Sequence, residues 1–235
     1  MIDFLYRSGL RIRAEKRIDN FYFPYLREGQ GLSFGGVFTR WLRAEMAWTR
    51  KDYRSSSLDD PDLFRAAVHM NVRDLADVSL AVLREQVLSN GLSLAQGITV
   101  DLARLEVAAP LNRQVDLALL GEWQDYSDDN HGVRLRGDLG VVFSDHPREL
   151  KLTLSGEYRA VAEENVFFYD GPLLTGIEHP YWTPQGYFAG DLTLQWRHDL
   201  SALKFCGARQ HVYLLKLGVG TDTDSNAGVR LAGEY

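Results

Sequence analysis

Cysteine occurs once, at Cys206, so the chain can build neither an intramolecular disulfide framework nor a thiolate metal site of spaced cysteines. Long apolar runs are missing as well: none approaches the ~20 residues a spanning helix needs, which excludes a helical membrane protein. Basic charge is not in excess, since 26 Lys and Arg stand against 32 Asp and Glu for a net charge of −6. Phosphate backbones demand a basic face, so no nucleic-acid partner is expected. The opening Met-Ile-Asp-Phe-Leu-Tyr-Arg lacks the charged, apolar and small-residue succession of a secretory signal. Either a cytosolic protein or a mature piece of a longer precursor is expected from that. No Gly-x-Ser-x-Gly, His-Glu-x-x-His, Walker or dinucleotide motif occurs.

What the sequence does have is apolar surface, 45% of residues with 25% charged, enough to offset the entropy of ordering. That surface is distributed with period two, the pattern of a strand with one apolar and one wet face. Leu10, Ile12 and Ala14 alternate with Arg11, Arg13 and Glu15. Leu42 to Trp48 and Phe64 to Val72 repeat the pattern, as do Val115 to Trp123, Val133 to Phe143, Leu150 to Tyr158 and Leu192 to Trp196. Tyr213 to Val219 and Val229 to Tyr235 close the series. Residues 75–107 are less regular, and strands near 78–88 and 96–107 are expected there. The sum is about eleven strands, joined by turn-forming segments near 109, 127 and 144 and by longer connectors at 17–31 (with Phe21, Tyr22, Phe23 and Tyr25), 50–62 and 161–187.

Soluble strands average about five or six residues, whereas crossing a ~25 Å apolar band at a tilt takes about nine to eleven. Most runs here reach about ten. Aromatics sit at run ends, Trp48, Trp123, Phe143, Tyr158, Trp196 and Tyr235, where interfacial girdles place amphipathic rings. Ordinary core aromatics are the plainer reading of the same residues. The polar faces are rich in Arg, Lys, Asp and Glu, which a water-filled lumen or an exposed sheet face tolerates and a dry core does not. The fold class expected is all-β, an antiparallel up-and-down transmembrane barrel in the bacterial outer membrane. Its long loop 161–187 would be extracellular. The rival is a soluble all-β carbohydrate-binding module whose apolar side lies under a second sheet.

The segment Tyr181-Trp182-Thr183-Pro184-Gln185-Gly186-Tyr187-Phe188 leads directly into the strand ending in Trp196. It resembles the C-terminal barrels of tetratricopeptide-repeat outer-membrane proteins that export exopolysaccharides, the cellulose and poly-N-acetylglucosamine secretins. There a Tyr-x-x-Pro-x-x-Tyr/Phe stretch, here Tyr181, Trp182, Pro184 and Tyr187, enters a late strand. The resemblance spans about Leu150 to Tyr235. It implies a porin-like barrel for polysaccharide transport in a Gram-negative biofilm setting. Its partners would be outer-membrane lipid, the polysaccharide, a periplasmic repeat domain and an inner-membrane synthase. No 34-residue helical repeat precedes the strands, and eleven or twelve strands do not complete a 16-stranded barrel. Residues 1–235 are therefore expected to be a single outer-membrane barrel domain, truncated at one or both ends.

A polymer path needs a wet lumen rather than a catalyst. Its expected lining is Arg43, Arg65, His69, Arg134, Arg136, Asp138, Lys151, Glu157, Asp191, Arg197 and Arg230. Cross-strand pairing among these charges is the plainer alternative. Asp222-Thr223-Asp224-Ser225-Asn226 copies the first positions of a calcium loop. Ala227 replaces the required Gly, however, and Gly233 the bidentate Glu, so an external turn is expected. Asp125, Asp128 and Asp129 read as a solvated loop tip. No metal, cofactor or enzymatic role is expected. An outer-membrane hydrolase is the alternative, if His179 and an acid meet a Ser or Thr.

Overall fold

The computed structural model describes residues 2–5, 11–17, 26–39, 41–53, 61–73, 75–200 and 212–234. Cys206, Tyr235 and the connector aromatics Phe21, Tyr22, Phe23 and Tyr25 lie outside them. Strands β1 (Ile2–Leu5), β2 (Arg11–Arg17), β3 (Leu26–Thr39), β4 (Leu42–Tyr53), β5 (Asp62–Val72) and β6 (Ala76–Gln86) come first. The short helix α1 (Gly91–Ala95) follows, then β7 (Thr99–Pro110), β8 (Val115–Tyr126), β9 (His131–Ser144) and β10 (Arg148–Val161). The series continues with β11 (Val166–Asp170), β12 (Leu173–Glu178), β13 (Gln185–Asp199), β14 (Val212–Asp222) and β15 (Ala227–Glu234). Thirteen strands form one sheet in chain order, broken only where β10 pairs with β13, and β11 and β12 form a separate hairpin.

The main sheet has thirteen strands where eleven or twelve were expected, because β1 and β3 carry a weak signal. β1 is four residues long, and β3 contains four glycines, which pack nothing and blur the alternation. The connector expected at 17–31 ends by Leu26, and the long connector 161–187 holds the β11–β12 hairpin. Between β6 and β7, Asn90 caps α1 by accepting from the backbone N–H of Leu92 and Ser93 at 2.9 Å each.

Register lines up the apolar side of neighbouring strands. Leu42, Ala44, Met46 and Trp48 of β4 lie opposite Met70, Val68, Ala66 and Phe64 of β5. These in turn face Val78, Leu80, Val82 and Arg84 of β6. Leu192 and Leu194 of β13 lie opposite Val219 and Leu217 of β14, which face Val229 and Leu231 of β15. No second layer covers this side among the described residues: Leu139 is 36% and Leu194 38% exposed, and Trp48, Trp123, Phe143, Tyr158 and Trp196 are exposed too. The polar side is the more protected one, with Glu122 only 5% exposed. The sheet is thus apolar outward, the reverse of a water-soluble protein. Strands β9 and β10 each have 14 residues, which at ~3.3 Å per residue reach about 46 Å, ample for a ~25 Å apolar band.

The chain divides into two compact units, one made of Met1–Glu106, Gly121–Arg134 and Ala160–Gln185 and the other of Val107–Leu120, Leu135–Arg159 and Gly186–Tyr235. The first holds a small apolar core on the polar side of its strands. Ala67, Ala81, Leu83, Val100 and Leu102 pack there, with Val87 and Tyr126 against them.

Candidate functional site

Every expected lining residue falls on the polar side of its strand, because each occupies the parity opposite to the exposed Leu, Val and Trp positions. In the first unit, Arg65 of β5 reaches Glu45 of β4 at 3.3 Å, and His69 Nε2 lies 3.6 Å from the same carboxylate. Arg43 lies opposite His69 in the ladder. Arg134 occupies the same side of β9. Sequence reasoning missed the most deeply placed carboxylate here, the buried Glu122 to which Arg104 donates at 2.7 Å, since Glu122 looks like any polar-face residue until its burial is known.

In the second unit the charges pair both along a strand and across strands. Lys151 of β10 lies 2.9 Å from Asp116 of β8. Arg136 donates to both carboxylate oxygens of Asp138, at 3.0 and 3.1 Å, with Glu157 3.9 Å away. Arg159 donates to Glu157. Arg230 of β15 lies 2.6 Å from Asp191 of β13, and Arg197 lies 3.9 Å from Glu149. Thus the structure brings Arg136, Asp138 and Glu157 together and gives Lys151, Asp191, Arg197 and Arg230 each a partner.

The Tyr181-Trp182-x-Pro184-x-x-Tyr187 segment has a structural task. Pro184 carbonyl accepts from Val161 N–H at 2.8 Å, extending the β10 ladder to the entrance of β13. Tyr181 is buried, its ring stacked on Tyr126 with centroids 4.4 Å apart, and its hydroxyl donates to Asp128 at 2.9 Å. Trp182 is half exposed. Tyr187, in β13 and the second unit, donates to Asp222 at 3.1 Å.

His179, preceding Pro180, adopts φ 51°, a left-handed conformation that costs a non-glycine residue on the order of 1 kcal/mol. Its neighbours over-determine that geometry. Asn165 donates to the carbonyls of His179 and Tyr181, Thr183 donates to Asn165 at 2.8 Å, and Asn90 donates to Pro180 carbonyl at 2.7 Å. The imidazole is 2% exposed, with Nδ1 2.8 Å from Asp128 and Nε2 3.2 Å from Glu163. Burial alone would push the imidazolium pKa down. The hydrogen bonds to Asp128 and Glu163, together with the charges of Asp128 and Glu178, outweigh it and hold His179 above its ordinary value. Burial, then the contact with Asp128, drives the Tyr181 phenol far up, so it stays a donor.

Asp128 is therefore a partly buried partner of this network rather than part of a solvated tip. It was misread because its acceptor role depends on residues some fifty positions away in the chain. The acid expected beside His179 is present, but among the described residues no Ser or Thr joins it: both ring nitrogens face carboxylates, and Thr183 is engaged with Asn165. Asp222 forms a turn, accepting from the backbone and side-chain amides of Asn226 at 2.9 and 3.0 Å. Among the described residues no three His, Cys, Asp or Glu side chains group as metal ligands.

No family model and no curated protein matches the sequence. Among solved structures, one described as a bacterial polysaccharide outer membrane secretin aligns with a TM-score of 0.68 at 14% identity, covering 96% of this chain and 71% of its own. A chain from work on in-meso crystallization of membrane proteins gives 0.43 at 11% identity, covering 96% of this chain and 80% of its own. LpxR from Salmonella typhimurium gives 0.31 at 8%, with coverages of 89% and 88%. The likeness to the secretin, joined to a sheet whose apolar side is bare, shows the fold of this chain: an all-β, antiparallel membrane barrel.

Proposed function

We propose that residues 1–235 belong to a single outer-membrane barrel domain whose polar side lines an aqueous path for a polysaccharide across the bacterial outer membrane. The observation that carries this reading is the inverted sheet: Leu139 and Leu194 lie bare while Glu122 is buried on the other side. Its polar side carries paired charges that hold water and offer donors and acceptors to hydroxyl groups. The fold shared with a polysaccharide secretin supports the substrate class. Arg43, Arg65, His69, Arg134, Arg136, Asp138, Lys151, Glu157, Asp191, Arg197 and Arg230 are the proposed lining. Outer-membrane lipid, a periplasmic repeat domain and an inner-membrane synthase are the proposed partners.

Liposomes containing the refolded chain test this directly. Entrapped glucan oligomers should escape from them and not from protein-free liposomes. Retention of every oligomer in liposomes shown to carry the folded chain would overturn the reading. A soluble binding module would instead remain monomeric without detergent and bind oligosaccharide in solution.

A further inference from the structure

We infer that the polymer accommodated by the polar side of the second unit is electrically neutral; the inference rests on the reading of that side as a polysaccharide path. The ground for it is how the charges are held. Two of the ion pairs join strands that are not adjacent, each passing over a glycine in the strand between.

Lys151 of β10 meets Asp116 of β8 above Gly140 of β9. A Cβ at Gly140 would stand 2.6 Å from both Asp116 carboxylate oxygens and from Lys151 Cε, so the pair occupies the space a side chain would fill. Strand β14 repeats the device: Gly220 lies opposite Asp191 of β13 and Gly218 opposite Arg230 of β15. A Cβ at Gly220 would come within 3.2 Å of Asp191 Oδ2, and one at Gly218 within 3.7 Å of that oxygen and 3.9 Å of Arg230 Cβ. Glycine in a strand interior weakens it by lost entropy and packing. Here it lets cation and carboxylate neutralise each other across three strands.

A polyanion path needs the opposite arrangement, guanidinium and ammonium groups with forks open to the ligand. Arg136 spends its fork on both oxygens of Asp138, and five cations in this unit each reach a carboxylate within 4.0 Å. A polyanion would meet a carboxylate beside each of those cations, and a polycation would meet the reverse. Uncharged hydroxyls hydrogen-bond to both members of a pair and carry no repulsion.

The test uses the full chain in planar bilayers under a KCl gradient, and in liposomes loaded with dextran or polygalacturonate of matched size. The K+ to Cl− permeability ratio should lie close to unity, and dextran should leave faster than polygalacturonate. Asp191→Asn and Asp116→Asn each free one cation and should move the ratio toward chloride by about twofold. Thr153→Ala, which removes no charge, should leave it unchanged. A strongly ion-selective parent chain, or polygalacturonate leaving as fast as dextran, overturns the inference while the path reading stands. An unchanged ratio in both Asp variants also overturns it. If neither polymer leaves, the path reading falls and the inference falls with it.

Discussion

Replacing Gly132 by alanine would put a methyl carbon 2.9 Å from the carbonyl oxygen of Ala160, 3.2 Å from Val161 Cγ2 and 3.4 Å from Gln124 Oε1. The closest of these atoms is backbone, which cannot swing aside as a side chain does. The start of β9 must therefore draw away from the end of β10, straining the 2.8 Å bond from Ala162 N–H to the His131 carbonyl. The same stretch carries Asn130, which is fully buried and exchanges two bonds with the Glu163 backbone, at 3.1 and 3.2 Å. Glu163 in turn holds His179. Overpacking of this kind costs about 1–3 kcal/mol. Urea unfolding of the chain in lipid vesicles, followed by Trp fluorescence, should show Gly132→Ala losing that amount. Gly228→Ala, where nothing lies within 4 Å of the added carbon, should lose no stability. Equal midpoints for Gly132→Ala and the parent would refute the close approach of β9 and β10.

Gly140→Ala should behave differently although its clash is nominally tighter, because the atoms it meets are side-chain ends that can move. It should break the half-exposed Lys151–Asp116 pair at a cost below about 1 kcal/mol, again read by urea unfolding. Leu139→Arg, near the middle of β9 on the bare apolar side, should destabilise the chain in vesicles by about 2–4 kcal/mol. An arginine added at a lipid-independent site would cost far less. His179 sets a pH dependence for the β11–β12 hairpin. Its folded pKa lies above the ordinary 6.5, so the stabilisation is complete below that value and fades as pH rises through the higher folded pKa. Hydrogen exchange across residues 166–178 should therefore be slower at pH 6 than in alkaline buffer beyond the intrinsic rate change, and His179→Gln should abolish the difference.

Period two makes the two sides of the sheet legible in the sequence, because a strand's side chains alternate whatever its neighbours are. That is why each of the expected lining residues, from Arg43 to Arg230, lies on the polar side of its own strand. Partnership was not legible, since it depends on register between strands: Asp116 reaches Lys151 only because Gly140 leaves room between them. Strand β3 was hidden by its glycines and the β11–β12 hairpin by its place inside a long connector. The motif around Tyr181 was visible as a sequence, but its anchoring by Asp128, Asn165 and Tyr126 needed tertiary contacts. Asp128 went astray for the same reason, sitting in a turn whose composition looks solvated.

Whether lipid touches the bare side of the sheet can be measured by attaching a fluorophore at single cysteines in a Cys206→Ser background. Neighbouring positions of β13 suffice, Leu194→Cys on the apolar side and Thr193→Cys on the polar side. In vesicles, a quencher carried on acyl chains should dim the label at 194 and spare the one at 193, while aqueous iodide should do the reverse. Quenching of the label at 194 by iodide and not by the lipid-borne quencher would contradict a membrane-facing sheet.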